Sequence, residues 1–477
     1  MSNAPSPATL AERIRTALGP GGTLDAPADV EKYLTDFRGL YRGVALLVAC
    51  PRDTAQVARV LALCHETGTG VVPHGGNTSY CGGATPSAAG DQVVLSLHRM
   101  NRVRAVDAAN DSMVVEAGCV LAEVQAAARA AGRYFPLSLG SEGSCQIGGN
   151  LSTNAGGLAA VRYGVARDLV LGLEVVLASG EVLRGLSSLR KDNTGYDLRH
   201  LFIGAEGTLG VITAASLKLF PAPRTVETAF LAVPGMRAAV AVLSRLRAAT
   251  GDCVTTFEYL PRIAVEFTTR HVPGVTDPLG QAWPAYLLCE VATPREDPQL
   301  REVIEVTLHA CMADGEVLDA TIAGSLAQRE LLWKLRESVP EAQRHEGASI
   351  KHDVAVPVAA LPEFLERAAA AVARVAPSAR LVAYGHVGDG NLHFNLSEPA
   401  GGQERAAFLA RQEAINDAVH DCVREFGGSI SAEHGIGRLK RHLLARYKDP
   451  VALATMRALK RTLDPKGILN PGKVLPD

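Results

Sequence analysis

Residues 384–395 read Tyr-Gly-His-Val-Gly-Asp-Gly-Asn-Leu-His-Phe-Asn. Asp389-Gly390 is a two-residue hairpin signal, because the primed turns that join antiparallel strands need positive φ. Counting outward from that turn opposes Gly388 to Asn391, Val387 to Leu392 and His386 to His393. Directly opposed side chains sit about 4.5–5.5 Å apart at Cβ, so two imidazoles there can share one ion. On a helix the same pair would stand about 10 Å apart at about 1.5 Å per residue. Two ligands of one zinc lie within about 4 Å of each other, at about 2.0–2.1 Å from the metal. Only a hairpin meets that condition. Asn395, two residues past His393, projects from the same face.

A second cluster, Ser-Ala-Glu-His-Gly-Ile-Gly, occupies residues 431–437. Glu433 supplies a third ligand oxygen, and the adjacent His434 can stay unligated and act as a base. Two histidines, one carboxylate and an open position form a catalytic rather than a structural zinc pattern. Half-buried histidines beside a solvated glutamate are the ordinary alternative. The symmetric turn and the second cluster together favour the metal.

The chain has 477 residues, 47% of them hydrophobic. That length exceeds a single core and predicts two or three domains. With a net charge of −2 and no blocks of like charge, nothing suggests nucleic acid or an anionic membrane as the main partner. Nine scattered cysteines without a Cys-x-x-Cys pair read as reduced thiols in a cytoplasmic protein. No run approaches about 18 apolar residues, so no integral membrane segment is expected. Residues through Pro7 read as a floppy start before a short helix over residues 8–18.

Taken in order, residues 43–50 read as a buried strand. Asp53 or Thr54 caps a helix with apolar positions at Val57, Val60, Leu61 and Cys64, and Gly68 and Gly70 end it. A strand at residues 71–73 then enters the glycine loop His74-Gly-Gly-Asn-Thr-Ser-Tyr-Cys-Gly-Gly83. Bare backbone N–H groups at Gly75 and Gly76, with donors on Asn77, Thr78 and Ser79, suit a pyrophosphate. Further strands are expected at 93–97 and 112–118, and a helix at 121–132. Residues 139–157 form a second glycine region with Gly140, Ser141, Gly143, Ser144, Gly148, Gly149, Asn150, Thr153, Asn154, Gly156 and Gly157, too glycine-rich for a regular element. A hairpin spans Ser179-Gly180, residues 190–198 are polar and turn-rich, and residues 201–212 return to strand character.

These loops resemble the FAD-binding domain of the vanillyl-alcohol oxidase or FAD-linked oxidase family. The stretches at 73–83, 140–157, 191–197 and 203–212 carry the likeness, and Leu-Asp-Pro-Lys-Gly-Ile-Leu-Asn-Pro-Gly-Lys at 463–473 closes the chain as in that family. The likeness spans nearly the whole sequence. Its most specific parts are similar to D-2-hydroxyglutarate dehydrogenases, with D-lactate dehydrogenases as near relatives. The resemblance implies an α+β protein with a two-subdomain FAD-binding domain over residues 1–220. A sheet-rich substrate domain over 221–425 and a C-terminal segment over 426–477 complete it. FAD is implied to bind without a covalent link; relatives that attach it through a histidine do so in or near the glycine loops, the region where His74 lies. Pro73, Glu206, Gly207, Ile212 and Asn470 join the loop residues named above as the implied cofactor contacts. By the same resemblance His386, His393 and Glu433 bind Zn²⁺, while Arg336, Lys351, Asn395 and His434 meet a small 2-hydroxy acid. Electron-transfer flavoprotein is the implied acceptor and a homodimer the implied assembly.

Two prolines at 221 and 223 mark a boundary. A strand at 225–233 and an amphipathic helix at 236–249 follow. Residues 325–345 are charged and helical, interrupted by Pro340. Lys351 lies in Ala-Ser-Ile-Lys-His-Asp-Val-Ala-Val-Pro, where alternation makes it a strand residue sharing a face with Ser349 and Asp353. The resemblance departs at Pro340 and His352, where the better-known dehydrogenases carry Thr and Tyr. Pro340 offers no donor, so a second substrate carboxylate must be held by another group, or the acid is a different one.

Overall fold

The structure, a computed structural model, describes residues 7–476; residues 1–6 of the expected floppy start lie outside the described residues. Contacts divide the chain into two units. The first takes residues up to 157, Gly164–Ala222 and the chain from Glu433 onward; the second takes Leu158–Tyr163 and Pro223–Ala432.

In the first unit a four-stranded sheet orders Thr23–Leu24, Leu47–Ala49, Gln92–Ser96 and Gly70–His74, the last three parallel. Helix Thr54–Thr67 makes the crossover. Asp53 caps it by accepting from the Gln56 N–H at 2.8 Å, and Gly68 ends it at φ 72°. Its stripe of Val57, Val60, Leu61 and Cys64 is fully buried against Ile14 and the sheet. Each such side chain gains about 1.5–3 kcal/mol on burial. That outweighs the few tenths by which a β-branched residue disfavours a helix.

A second, antiparallel sheet orders Val103–Asp107, Ser112–Glu116, Val211–Lys218, Val170–Val176 and Val182–Gly185. Val176 pairs with Val182 across the expected hairpin. Two expectations need correction here. Residues Ile147–Thr153, inside the supposedly irregular second glycine region, form a helix with Ile147 and Leu151 buried. The Gly148 N–H donates to the Ala117 carbonyl at 2.7 Å. A Cβ on Gly148 would stand 2.8 Å from the Ala117 Cβ. The glycine therefore admits a close helix–strand approach, and burial overrides its poor propensity. Residues 201–212 are not one strand either. A helical turn, Arg199–Phe202, leads into positive φ at Gly204, Glu206 and Gly207, and extended backbone begins only at Val211.

The second unit is built on an eight-stranded sheet. Its order is Asp319–Ile322, Thr225–Val233, Ala285–Thr293, Val254–Pro261, Arg380–His386, Asn391–Ser397 and Ser349–Ile350, and Asp353–Ala355 also pairs with Asn391–Ser397. Helices Leu326–Glu337 and Val339–His345 bring Leu332, Trp333, Leu335 and Val339 into a core with Phe230, Tyr286 and Leu288. The break falls at Ser338, and Pro340 stands in the first turn of the second helix, where its missing N–H costs nothing.

Gly148→Ala tests the close approach. Helix propensity alone would raise stability by about 0.5–1 kcal/mol, whereas overpacking costs about 1–3 kcal/mol. The variant is expected to melt lower than wild type in a thermal scan. A higher Tm would show that the approach to Ala117 is not tight.

Candidate active site

The histidine hairpin forms, with a different register from the one the turn signal predicts. Tyr384, not His386, opposes His393, and Val382 opposes Asn395. The connection is a four-residue loop, 387–390, closed by Asp389 N–H to His386 O at 3.3 Å and Gly390 N–H to Val387 O at 3.4 Å. Gly390 has φ 86°, and a Cβ there would meet the Val356 carbonyl at 2.1 Å. The register shift is two residues. Because side chains alternate with period two, an even shift preserves every face. His386 and His393 therefore remain on one face as diagonal neighbours, their ring centroids 5.4 Å apart and edge to face.

Glu258 went unseen in the sequence. It opposes His386 on the neighbouring strand Val254–Pro261 and is fully buried. Its Oε1 lies 2.5 Å from His386 Nδ1, and its Oε2 accepts from Arg336 Nε at 2.6 Å. Burial opposes its ionisation, but Arg336 and His386 outweigh burial and hold its carboxyl far below the usual carboxylate range. Arg336 is itself buried, with its guanidinium 5.0 Å from the Tyr384 ring centroid. The available signal was an acid inside the apolar run Val-Thr-Thr-Phe-Glu-Tyr-Leu, a pattern that demands a partner.

On the other side of the hairpin, Asp353 opposes His393, with Oδ1 3.9 Å from its Nδ1. Lys351 departs from expectation. It is exposed and lies between Ser349–Ile350 and Asp353–Ala355 rather than within a strand. The pairing register is nonetheless the same on both sides of the gap, so Ser349, Lys351 and Asp353 do share a face. Asn395 is buried and donates to Gln343 Oε1 at 3.0 Å, while its own Oδ1 has no partner.

Glu433 follows directly on Ala432, whose N–H donates to the Asp353 carbonyl at 3.2 Å. Chain continuity thus ties it to that strand. Ligand atoms of His386, His393 and Glu433 lie within 4.8 Å of one another, and so do those of Asp353, Glu433 and His434. A metal-binding histidine normally gives its other ring nitrogen to a carboxylate or carbonyl. The Glu258–His386 contact is that arrangement, so the residues fit a divalent ion. The His434 ring packs edge to face on Tyr80, centroids 4.7 Å apart.

In the first unit the two glycine loops meet. A Cβ on Gly76 would lie 2.2 Å from the Ser144 carbonyl, and one on Gly75 would lie 3.6 Å from the Gly149 Cα. Gly207 closes on Pro73, where a Cβ would come within 2.9 Å of its ring. Gly140, Gly143 and Gly149 face open space. Asn77 is corrected from an expected ligand donor, since its side chain donates to the Lys32 and Thr35 carbonyls at 3.2 and 2.8 Å. Asn154 caps the helix Ile147–Thr153 in the left-handed conformation and accepts from the Arg167 N–H. The Thr153 hydroxyl likewise turns back to the Gly149 carbonyl. Ile212 is buried on the strand Val211–Lys218, paired with Val175. Glu206 accepts from the Ile436 and Gly437 N–H groups, and Asn470 donates to the Gly83 and Glu206 carbonyls. Buried oxygens of Gln146, Asn150 and Asn470 lack any partner. Such atoms ask for an external donor, and a ribityl or phosphate-bearing cofactor over these loops is of the right chemistry.

Residues 222–474 match the family of "FAD linked oxidases, C-terminal domain", and residues 45–185 match "FAD binding domain". The chain belongs to the FAD-linked oxidase family. It is accordingly an FAD-dependent oxidoreductase of α+β architecture. Among curated FAD-linked oxidases it is 41% identical over 460 residues to a protein of Bos taurus named "D-2-hydroxyglutarate dehydrogenase, mitochondrial", covering 96% of this chain and 82% of that one. A D-2-hydroxyglutarate dehydrogenase of Xanthomonas citri pv. viticola is 37% identical over 448 residues, covering 94% and 93%. The solved p-cresol methylhydroxylase shares the fold at a TM-score of 0.75 and 17% identity, over 98% of this chain and 96% of that one. Alkyldihydroxyacetonephosphate synthase does so at 0.74 and 17%, over 99% and 87%.

His74, at the head of the first loop of this FAD-linked oxidase, is buried against Tyr33 with both ring nitrogens unpartnered. Burial pulls its pKa from 6.5 to about 4. Between those values the unfolded chain binds the extra proton, so stability falls as pH drops from 6.5 towards 4. His74→Phe should flatten that part of a plot of urea midpoint against pH. An unchanged slope would assign the proton to another group.

Proposed function

We propose that the protein oxidises the C2 alcohol of D-2-hydroxyglutarate to the 2-oxo acid, using non-covalent FAD and a divalent ion, Zn²⁺ by its ligand set. The observation that carries this reading is the cluster of His386, His393 and Glu433, with His434 beside it, in a chain 37–41% identical to proteins named for that activity. The ion would rest on His386, His393 and Glu433. When bound, FAD supplies a two-electron acceptor and the ion supplies Lewis acidity. His434 takes the hydroxyl proton on an imidazole nitrogen as general base. Asn395, two residues past His393 on the same strand face, is the further residue we assign to substrate contact.

Arg336 and Lys351 divide the work on carboxylates. Arg336 is charge-compensated by Glu258, with its Nε committed there, so it contributes directed hydrogen bonds rather than net charge. Lys351 is the more exposed cation and the better source of preference for a second carboxylate. Electron-transfer flavoprotein is the proposed acceptor and a homodimer the proposed assembly. The nine cysteines form no disulfide among the described residues, and a reducing, cytoplasmic compartment is the proposed location. Among the described residues no helix is long and apolar enough to cross a membrane.

The test is turnover with an artificial electron acceptor on D- and L-2-hydroxy acids. A charged hydrogen bond to a carboxylate is worth about 1.5–3 kcal/mol, or about 10–150-fold. D-2-hydroxyglutarate should therefore exceed D-lactate in kcat/KM by at least about tenfold, with the L-enantiomer inert. Lys351→Ala should shrink that ratio more than it lowers lactate turnover. Equal values for the two acids would move the substrate to the lactate branch.

His434→Ala should lower kcat by about 10²–10⁴ with flavin and metal content unchanged. Loss of metal in elemental analysis would instead make His434 a ligand.

A further inference from the structure

Glu258 carries more than a structural ion pair would need. It lies at the register position directly across from His386. Both carboxylate oxygens are used, one on His386 Nδ1 and the other on Arg336 Nε. No part of its side chain reaches solvent. A histidine held by a carboxylate at Nδ1 keeps its proton there and presents Nε2 to a metal, with the ring orientation fixed. The planar guanidinium, held at Nε and lying over Tyr384, is likewise set in one orientation.

We propose that Glu258 is a positioning residue that sets the tautomer and direction of His386 as a metal ligand and, through its second oxygen, the direction of Arg336. This rests on the metal reading of the preceding section. One carboxylate then places a ligand of the ion and a donor for the substrate in a fixed mutual relation. The effect is transmitted through the two side chains, and Glu258 itself touches neither substrate nor metal.

A plain structural role for Glu258 predicts that its loss lowers stability and leaves the intrinsic affinity for metal alone. A positioning role predicts weaker metal binding. Glu258→Gln separates the two, since the amide keeps the size but has one acceptor for two donors. Zn²⁺ affinity is measured on metal-stripped, flavin-loaded enzyme by competition with a chromophoric chelator, alongside the flavin spectrum. The expected result is 10–100-fold weaker Zn²⁺ binding, in the range for such outer partners, with an unchanged flavin band. Should that variant not fold, Glu258→Asp keeps the charge and withdraws the carboxylate by one methylene; the same loss is expected. Wild-type Zn²⁺ affinity in the variant that folds, with binding abolished in His386→Ala, overturns the positioning role and leaves the metal site standing. Wild-type affinity in His386→Ala overturns the metal reading and this proposal with it.

Discussion

A carboxylate sealed from water between an arginine and a histidine is the constraint around which the second unit is arranged. Glu258 ionises there only because two donors meet it. Removing either partner from such a buried pair typically costs about 3–5 kcal/mol, because the remaining charge has no water to turn to. Three separate elements are thereby locked together: the strand Val254–Pro261, the helix Leu326–Glu337 and the hairpin strand Arg380–His386. The hairpin cannot slide without unpairing His386, so the face on which His393 and Asn395 also project is held in place. A hydrophobic replacement would pack more simply. The ionic arrangement is retained where orientation matters more than adhesion.

Much of this was legible in the chain. The apolar run at 43–50, the strand expected at 71–73 and the alternation at 225–233 correspond to the strands Leu47–Ala49, Gly70–His74 and Thr225–Val233, and the Asp53 and Gly68 caps predict the helix between the first two. The pairing of His386 with His393 on one face was also within reach, because period-two alternation fixes the face even when the turn length is misjudged. Turn length itself was not. The Asp-Gly signal describes local preference, whereas the four-residue loop also packs on Val356, distant in sequence, whose carbonyl leaves no room for a Cβ on Gly390 and whose N–H donates to the Gly390 carbonyl.

The same limit explains the other misses. Gly148 looks like a flexible loop residue until Ala117 is seen against it. Asn77 looks like a ligand donor until the carbonyls of residues 32 and 35 appear at its amide. Glu258 was invisible as a functional residue because its meaning lies entirely in Arg336 and His386, 78 and 128 positions further along the chain. Local pattern reports which residue types stand where. It does not report which buried donor finds which acceptor.

The division of the first unit into separate stretches of chain has a consequence for synthesis. Val71 forms a β-bridge with Leu469, and the Asn470 side chain closes on Gly83 and Glu206. A ribosome emitting about 5–20 residues per second delivers the whole second unit before these partners appear. For tens of seconds the parallel sheet waits with one edge unfilled, while the antiparallel sheet of the second unit can already close. The cofactor-binding half, though it begins the chain, is thus the half completed last, and an exposed strand edge during that interval is the point at which a chaperone or an unwanted neighbour would find the nascent protein.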